Sequence, residues 1–449
     1  MVEDTPSRPL LKILGIGFGL AMAFGGTVGV GILRLPGSVA AALGDTRLIT
    51  LAWLLGGLYA FLGACAVTEL AVMFPEAGGF LVYARRAMGR GVGFAIGWSD
   101  WLNNVASLAY GSVTAATFLA ALWSPAHGHS KTLAITILVA FTALHWAGLR
   151  IGRTLAGVIT ICVGVMLLVL VVGCFITPPA HADPLLPLPT SPLALPLLSL
   201  GFLGAIVTAL RSVLVTFDGW YSPIYFAEES TNPTRSLPRA IIGGSLLVGG
   251  LYLIINLAFL RVLPLQILAN SALPAADAAR VVLPYGGAEL VTLISLLTVL
   301  SLLNAVLLMT PRILYAIGRD GLFTHKATLV SAGGTPRVAL GLSSAMVIVL
   351  ILTGSFEQIV ALAAVLFLLN YISAYLAVFI LRWREPLYPR PYRAVGFPYT
   401  TAIVLLGSLL FLIAAVIDDP RSGLIAGTLM ILCVPLYLWR RTHSVTSSA

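Results

Sequence analysis

Long apolar runs fill most of the chain, separated by short stretches where Arg, Pro, Gly and acids gather. Twelve such runs lie at roughly 14–42, 48–74, 92–122, 131–148, 155–177, 199–227, 238–262, 288–317, 337–354, 357–381, 398–417 and 422–440. Most come close to or exceed the roughly 20 residues a helix needs to cross the hydrocarbon core of a bilayer. A transmembrane β-barrel would instead alternate over about ten residues. The pattern therefore predicts an all-α integral membrane protein with twelve transmembrane helices. No stretch between the runs is long enough for a soluble domain; the longest are 178–198, rich in Pro and Leu, and 263–287. The first run continues past the length of a cleaved signal and reads as a retained anchor.

Composition agrees with the pattern. Only 10% of the 449 residues are charged, 59% are hydrophobic, and mean hydropathy is +1.00. Soluble proteins carry about a quarter charged residues. A water-soluble enzyme, a disordered chain and a nucleic-acid-binding domain are excluded, and no nucleic-acid partner is expected. The four Cys (Cys65, Cys162, Cys174 and Cys433) lie in apolar stretches without CxxC spacing, which signals neither a metal site nor a disulfide framework.

The net charge of +9 finds its reason in topology. With the N-terminus cytoplasmic, the outer segments hold only Arg47, Lys131, Arg261, Arg280 and Arg421, and Arg34 and Arg211 fall inside spans. The rest of the 26 Lys and Arg, Arg312 among them, fall on inner segments. That asymmetry follows the positive-inside rule and places both termini on the cytoplasmic side of the cell membrane. Anionic inner-leaflet lipid is a secondary partner that such a surface suits.

Two runs are poor helix interiors. The first contains Gly25-Gly26-Thr27-Val28-Gly29-Val30-Gly31, followed by Pro36; the sixth contains Thr216-Phe217-Asp218-Gly219-Trp220-Tyr221-Ser222-Pro223. Gly in membrane helices also serves close packing, and Asp218 also reads as a structural group held by nearby backbone. Their placement carries more weight than either motif: one opens the first five spans, the other the next five. Paired interrupted helices in matching halves point to the central site of a transporter. A half-helix starting near Gly31 turns its positive end to the gap and suits a carboxylate. Carbonyls at the end near Phe217 suit an ammonium. Together they would hold the zwitterionic part of an α-amino acid. Phe217 or Trp220 reads either as an aromatic gate or as packing.

At these residues the sequence resembles the amino acid–polyamine–organocation superfamily, in its L-type amino acid transporter-like branch. Gly29-Val30-Gly31-Ile32-Leu33 is similar to the first-span Gly-Ser-Gly-Ile-Phe motif, and Phe217-Asp218-Gly219-Trp220 to the sixth-span Tyr-Asp-Gly-Trp motif. Glu228-Glu229-Ser230-Thr231-Asn232-Pro233 and Leu237-Pro238-Arg239 resemble the following loop, and Glu69-Leu70 with Met73-Phe74-Pro75 the end of span two. The resemblance implies a LeuT-like core at 14–381, made of inverted five-helix repeats at 14–177 and 199–381, with two added helices at 398–440. It implies alternating-access transport of amino acids, with backbone around Thr27, Val28, Gly29, Val30 and Gly31 on the carboxylate and around Thr216, Phe217, Asp218 and Gly219 on the amine; Trp220, beside the substrate, remains the gate candidate. It also implies an Asn on span three beside the substrate. Asn104 matches that position, with Asn103 a close competitor.

The sequence departs from the family in three places. Val30 replaces the usual Ser. The span-five stretch Thr160-Ile161-Cys162-Val163-Gly164 lacks the Lys of many relatives, so ion coupling cannot be carried over from it. The loop from Trp123 to Lys131 lacks the Cys that joins animal relatives to a helper glycoprotein, so no disulfide-linked helper subunit is expected.

Several other polar residues have two readings. Arg34 stabilises a half-helix, meets an acid such as Asp218, or snorkels; Arg211 reads the same way. Asp100 is a proton-relay acid or a structural partner. Glu69 and Glu76 read as inner-gate or loop-packing charges, and Asn370, Tyr371 and Tyr375 as path-lining or packing residues. His145 is a lone His on an apolar face; His127, His129, His181, His325 and His443 lie in or near loops. An intramembrane enzyme would need a deep His/Asp/Glu cluster, so no catalytic residues, metal or cofactor are expected. No GxxxxGK[ST] loop suggests ATP drive. The sequence thus reads as a secondary transporter of amino acids, with neutral ones favoured by the scarcity of acids. A polyamine or other organic-cation permease and a non-transporting amino acid sensor remain as alternatives.

Overall fold

The computed structural model describes residues 9–123, 129–179, 199–354 and 356–446. Arg8, His127, His181, the middle of the 123–131 loop and nearly all of the 178–198 loop lie outside the described residues. The helices in chain order are α1 (Ile16–Thr27), α2 (Gly31–Leu43), α3 (Thr46–Met73), α4 (Phe80–Met88), α5 (Arg90–Leu122), α6 (Ser130–Ala147), α7 (Leu149–Ile176) and α8 (Leu200–Thr216). They continue as α9 (Pro233–Val262), α10 (Leu265–Asn270), α11 (Pro274–Val282), α12 (Gly287–Arg319), α13 (Arg337–Thr353), α14 (Phe356–Arg384), α15 (Tyr399–Asp418) and α16 (Pro420–Thr446). A 3-10 turn, Ser222–Phe226, follows α8. Among the described residues no β-strand forms beyond two isolated bridges.

Among the described residues, nine helices are long and apolar enough to cross a membrane, or ten if α1 and α2, bent by 44° at their break, count as one span. The helix spanning 201–216 and α13 are apolar but shorter. Local chemistry sets the ends. Asp45 caps α3 by accepting from the N–H groups of Arg47 and Leu48 at 2.9 Å each, and Ser199 caps α8 through Phe202 N–H at 3.2 Å.

Burial sorts the helices into a core and a rim. In α12, 67% of the most apolar window is buried, against 17% in α6, α15 and α16. The rim helices therefore present their Leu, Ile and Val to lipid, while α12 packs on α5, α7 and α1. Lipid offers little hydrophobic drive for helix association, so close approach of small residues does that work. Along the α1–α9 seam, a Cβ on Gly19 would stand 2.5 Å from Ala240 Cβ, and one on Gly244 2.5 Å from Ala23 Cβ.

Charges gather where α3, α4, α12 and α14 end. Glu76 and Asp320 both take Arg85, and Glu228 takes Arg319 at 2.8 Å. Glu69, which by sequence flanks the loop carrying Arg85, is instead engaged by Arg382 and Arg390 at 2.6 and 3.2 Å and by Ala394 N–H at 2.7 Å. That pairing draws the segment after α14 back onto α3. Arg312, grouped above with the inner-segment charges, lies inside α12 and is buried. Its guanidinium donates to both carboxylate oxygens of Glu229, at 2.9 and 3.2 Å, and to Leu308 O. A buried cation requires such a partner.

Candidate functional site

The first interruption separates α1 from α2 at residues 28–30. Val28 is extended, and its N–H still reaches Phe24 O at 2.7 Å. The Thr27 carbonyl, left free by the end of α1, accepts from Tyr252 Oη at 2.8 Å. The same hydroxyl lies beside the Gly29 backbone. α2 then starts without a side-chain cap, because Val30 has no polar atom to offer. The N–H groups of Leu33 and Arg34 turn back to Val30 O. The donors ahead of them, at the positive end of α2, have no intrahelical partner.

The second interruption follows α8. Phe217 N–H closes on Val213 and Leu214, and the chain then turns through Gly219 at φ 109° into the 3-10 turn. The two interruptions meet backbone to backbone. A Cβ on Gly219 would lie 2.1 Å from Gly26 O, and one on Gly26 would lie 2.2 Å from Ser222 Oγ. The start of α2 also lies against the end of α8, since a Cβ on Gly31 would stand 3.2 Å from the Thr216 side chain. The positive end of one half-helix is thus set beside the carbonyl end of another.

A narrow cleft runs down to the second interruption. Phe217, Asp218, Trp220 and Tyr371 line its floor; Tyr59 and Arg211 line its walls. Asp218 is half-buried and accepts from Tyr371 Oη at 2.5 Å. Trp220 stacks on Tyr371 at 5.5 Å between ring centroids, and Phe217 packs on Tyr252 at 5.0 Å and Trp53 at 6.1 Å. Of these rings, Tyr252 reaches the first interruption through the Thr27 carbonyl. Thr27 and Val28 are buried, Gly29, Val30 and Gly31 half-buried, and none of the five lines the cleft.

The two span-three amides part company. Asn103 is buried near the Tyr221 hydroxyl, and Tyr221 is one of the rings beside Tyr371. Asn104 Nδ2 donates to Asp100 O at 2.8 Å and Oδ1 at 3.1 Å. Asn104 therefore belongs to a cluster around Asp100, and Asn103 is nearer the cleft floor. Arg34 is exposed on α2, while the acid it was weighed against, Asp218, is held by Tyr371. Among the described residues no cluster of His, Cys, Asp and Glu could hold a metal ion.

Two contributors were given no role by the sequence. Tyr252 holds the Thr27 carbonyl at the first interruption, and Tyr221 packs on Tyr371 near Asn103. Both are single phenols in apolar or aromatic stretches. A signal existed for Tyr221, which adjoins the Asp218 motif. None existed for Tyr252, whose helix face only packing reveals.

Residues 19–439 match the amino acid permease family. Among similar proteins, the serine/threonine exchanger SteT of Bacillus subtilis is 26% identical over 96% of this chain and 98% of its own. The b(0,+)-type amino acid transporter 1 of Mus musculus is 25% identical over 96% of this chain and 88% of its own. The branched-chain amino acid permease BcaP of Lactococcus lactis is 25% identical over 93% and 92%.

Proposed function

The chain belongs to the amino acid permease family, and from that premise we propose that it is a secondary transporter of neutral amino acids working by alternating access. The observation that carries the reading is the contact between two opposed half-helix ends, the start of α2 and the end of α8, beside Asp218. The N–H groups at Val30–Ile32 take the substrate carboxylate. The α8 carbonyls and Asp218 take the amine, and Tyr371 fixes Asp218. Trp220 and Phe217 separate the cleft from the first interruption and swing aside to admit substrate.

The cleft supports a neutral side chain. Its charged lining is one acid, Asp218, and one base, Arg211, with aromatic and aliphatic groups elsewhere. A dicationic polyamine would need a second acid. The fold reading completes the picture: twelve spans, counting the two shorter apolar helices, built as inverted repeats at 14–177 and 199–381 with α15 and α16 added. The ion pairs of Arg85, Arg319, Arg382 and Arg390 then mark the cytoplasmic end, and the cleft opens outward. Transport requires no disulfide-linked helper.

Uptake of labelled amino acids and polyamines into liposomes holding the purified protein tests this. Saturable entry of a neutral amino acid, lost in Asp218→Asn and Gly31→Leu, is the expected result. Entry of polyamines alone would give the cleft to organic cations. Tight binding of an amino acid without flux would make the protein a sensor.

A further inference from the structure

Asp100 takes no part in the substrate site, yet it is fully buried on α5. Its carboxylate accepts from Tyr225 Oη at 2.8 and 3.0 Å, from Asn104 Nδ2 at 3.1 Å and from Asn370 Nδ2 at 3.3 Å. Three elements converge on it: α5, the 3-10 turn after the second interruption, and α14. Every donor is neutral.

The elements packed on α5 bring no counter-ion. On α4, Arg85 is taken by Glu76 and Asp320, and Tyr83 is a neutral phenol. On α12, Arg312 is taken by Glu229, and on α14 Arg382 is taken by Glu69 while Arg384 donates to Ala87 O. On α6, His145 lies against Gly152. α13 gives Ser343 to Trp101, and α16 sets Tyr437 on Phe94. Among the described residues no Lys, Arg or His forms an ion pair with Asp100, and the other charge acting on it is Asp218, of the same sign. A carboxylate at this depth without a cation is costly as an anion. One proton removes the charge.

The site is also furnished for the protonated form. Asn370 Oδ1 is buried and has no hydrogen-bond partner. Turning that amide over presents Oδ1 to the O–H of a carboxylic acid, so Asn370 serves Asp100 in either protonation state. Polar rings connect it to the cleft: Tyr371 on Asp218, Tyr221 at 5.6 Å from Tyr371, and Tyr225 at 6.1 Å from Tyr221. Tyr225 also lies on the segment that carries Asp218. Through Tyr225, the segment of the second interruption is bonded directly to Asp100.

We propose that Asp100 is a proton-binding site that couples amino acid transport to a proton gradient. The carboxylate accepts one proton from the outer solution, becomes a neutral acid while the carrier turns over, and returns that proton to the inner solution. This rests on the transport reading above.

The test uses liposomes holding the full chain and an internal pH dye. With one pH unit of acid outside, one-proton coupling supports about tenfold accumulation of amino acid, with dye-reported proton entry. Asp100→Asn should lose accumulation and proton entry while still exchanging labelled for unlabelled amino acid. Asp100→Glu, which keeps a carboxyl, should retain both, and Asp100→Ser replaces the Asn variant if that does not fold. Exchange by the wild type without proton entry overturns the coupling proposal alone, as does unchanged accumulation in Asp100→Asn. No amino acid flux in any format overturns the transport reading itself.

Discussion

Replacing Gly219 with Ala probes the meeting of the two interruptions. The new methyl would be placed 2.1 Å from Gly26 O, which is backbone and cannot rotate away. The backbone at φ 109° is also one that L side chains rarely adopt. The conformational term is worth about 1–3 kcal/mol. Overpacking a filled site adds about 1–3 kcal/mol. Together the two cost about 2–6 kcal/mol, enough to part the interruptions or unfold a marginal protein. The assay pairs thermal unfolding of the purified protein with amino acid uptake in liposomes. Gly219→Ala should melt at lower temperature and lose uptake. Gly427→Ala is the control, because it is helical and its Cβ would meet nothing within 4 Å; it should be neutral or slightly stabilising. If Gly219→Ala melts and transports like the wild type, the backbone crossing is not what holds the site.

Other predictions follow from the buried charges. Arg312→Met or Glu229→Gln alone strands a buried charged or polar partner and should cost about 3–5 kcal/mol in thermal unfolding; the double variant should recover part of that loss, and equal loss in all three would contradict the pairing. Glu69→Gln weakens the hold on Arg382, Arg390 and Ala394, so limited proteolysis should cut the 385–397 segment faster; an unchanged digest would show that the segment is held otherwise. The chain has three Lys, at 12, 131 and 326, all exposed. In intact cells an impermeant amine reagent should label Lys131 and reach Lys12 and Lys326 only after permeabilisation, and the reverse order would invert the topology.

Much of this was legible in the sequence, for identifiable reasons. Burial inside a bilayer demands long apolar runs, so helix positions stood out; α3 and α5 fall within two residues of the runs at 48–74 and 92–122. Gly-rich breaks are also local signals, which is why residues 27–31 and 216–220 could be named. Pairing across helices is not local. Glu69 meets Arg390 more than three hundred residues away, and no spacing rule announces that. Nor could spacing separate Asn103 from Asn104, neighbours that helical geometry turns about 100° apart. The same limit hid Tyr252, and left Asp100 without its partners Tyr225 and Asn370 until α5, α14 and the 3-10 turn were brought together.

In the proposed transport site, one half-helix end holds the substrate carboxylate and the other its amine. Competition for uptake by chemically edited substrates tests it most directly. The transported amino acid is compared with its methyl ester, which lacks the carboxylate charge, and with its deaminated acid, which lacks the amine. Neither analogue should compete at concentrations where the parent does. An ester that competes as well as the parent would contradict the role given to the positive end of α2, and a deaminated acid that does so would contradict the role of Asp218 and the end of α8.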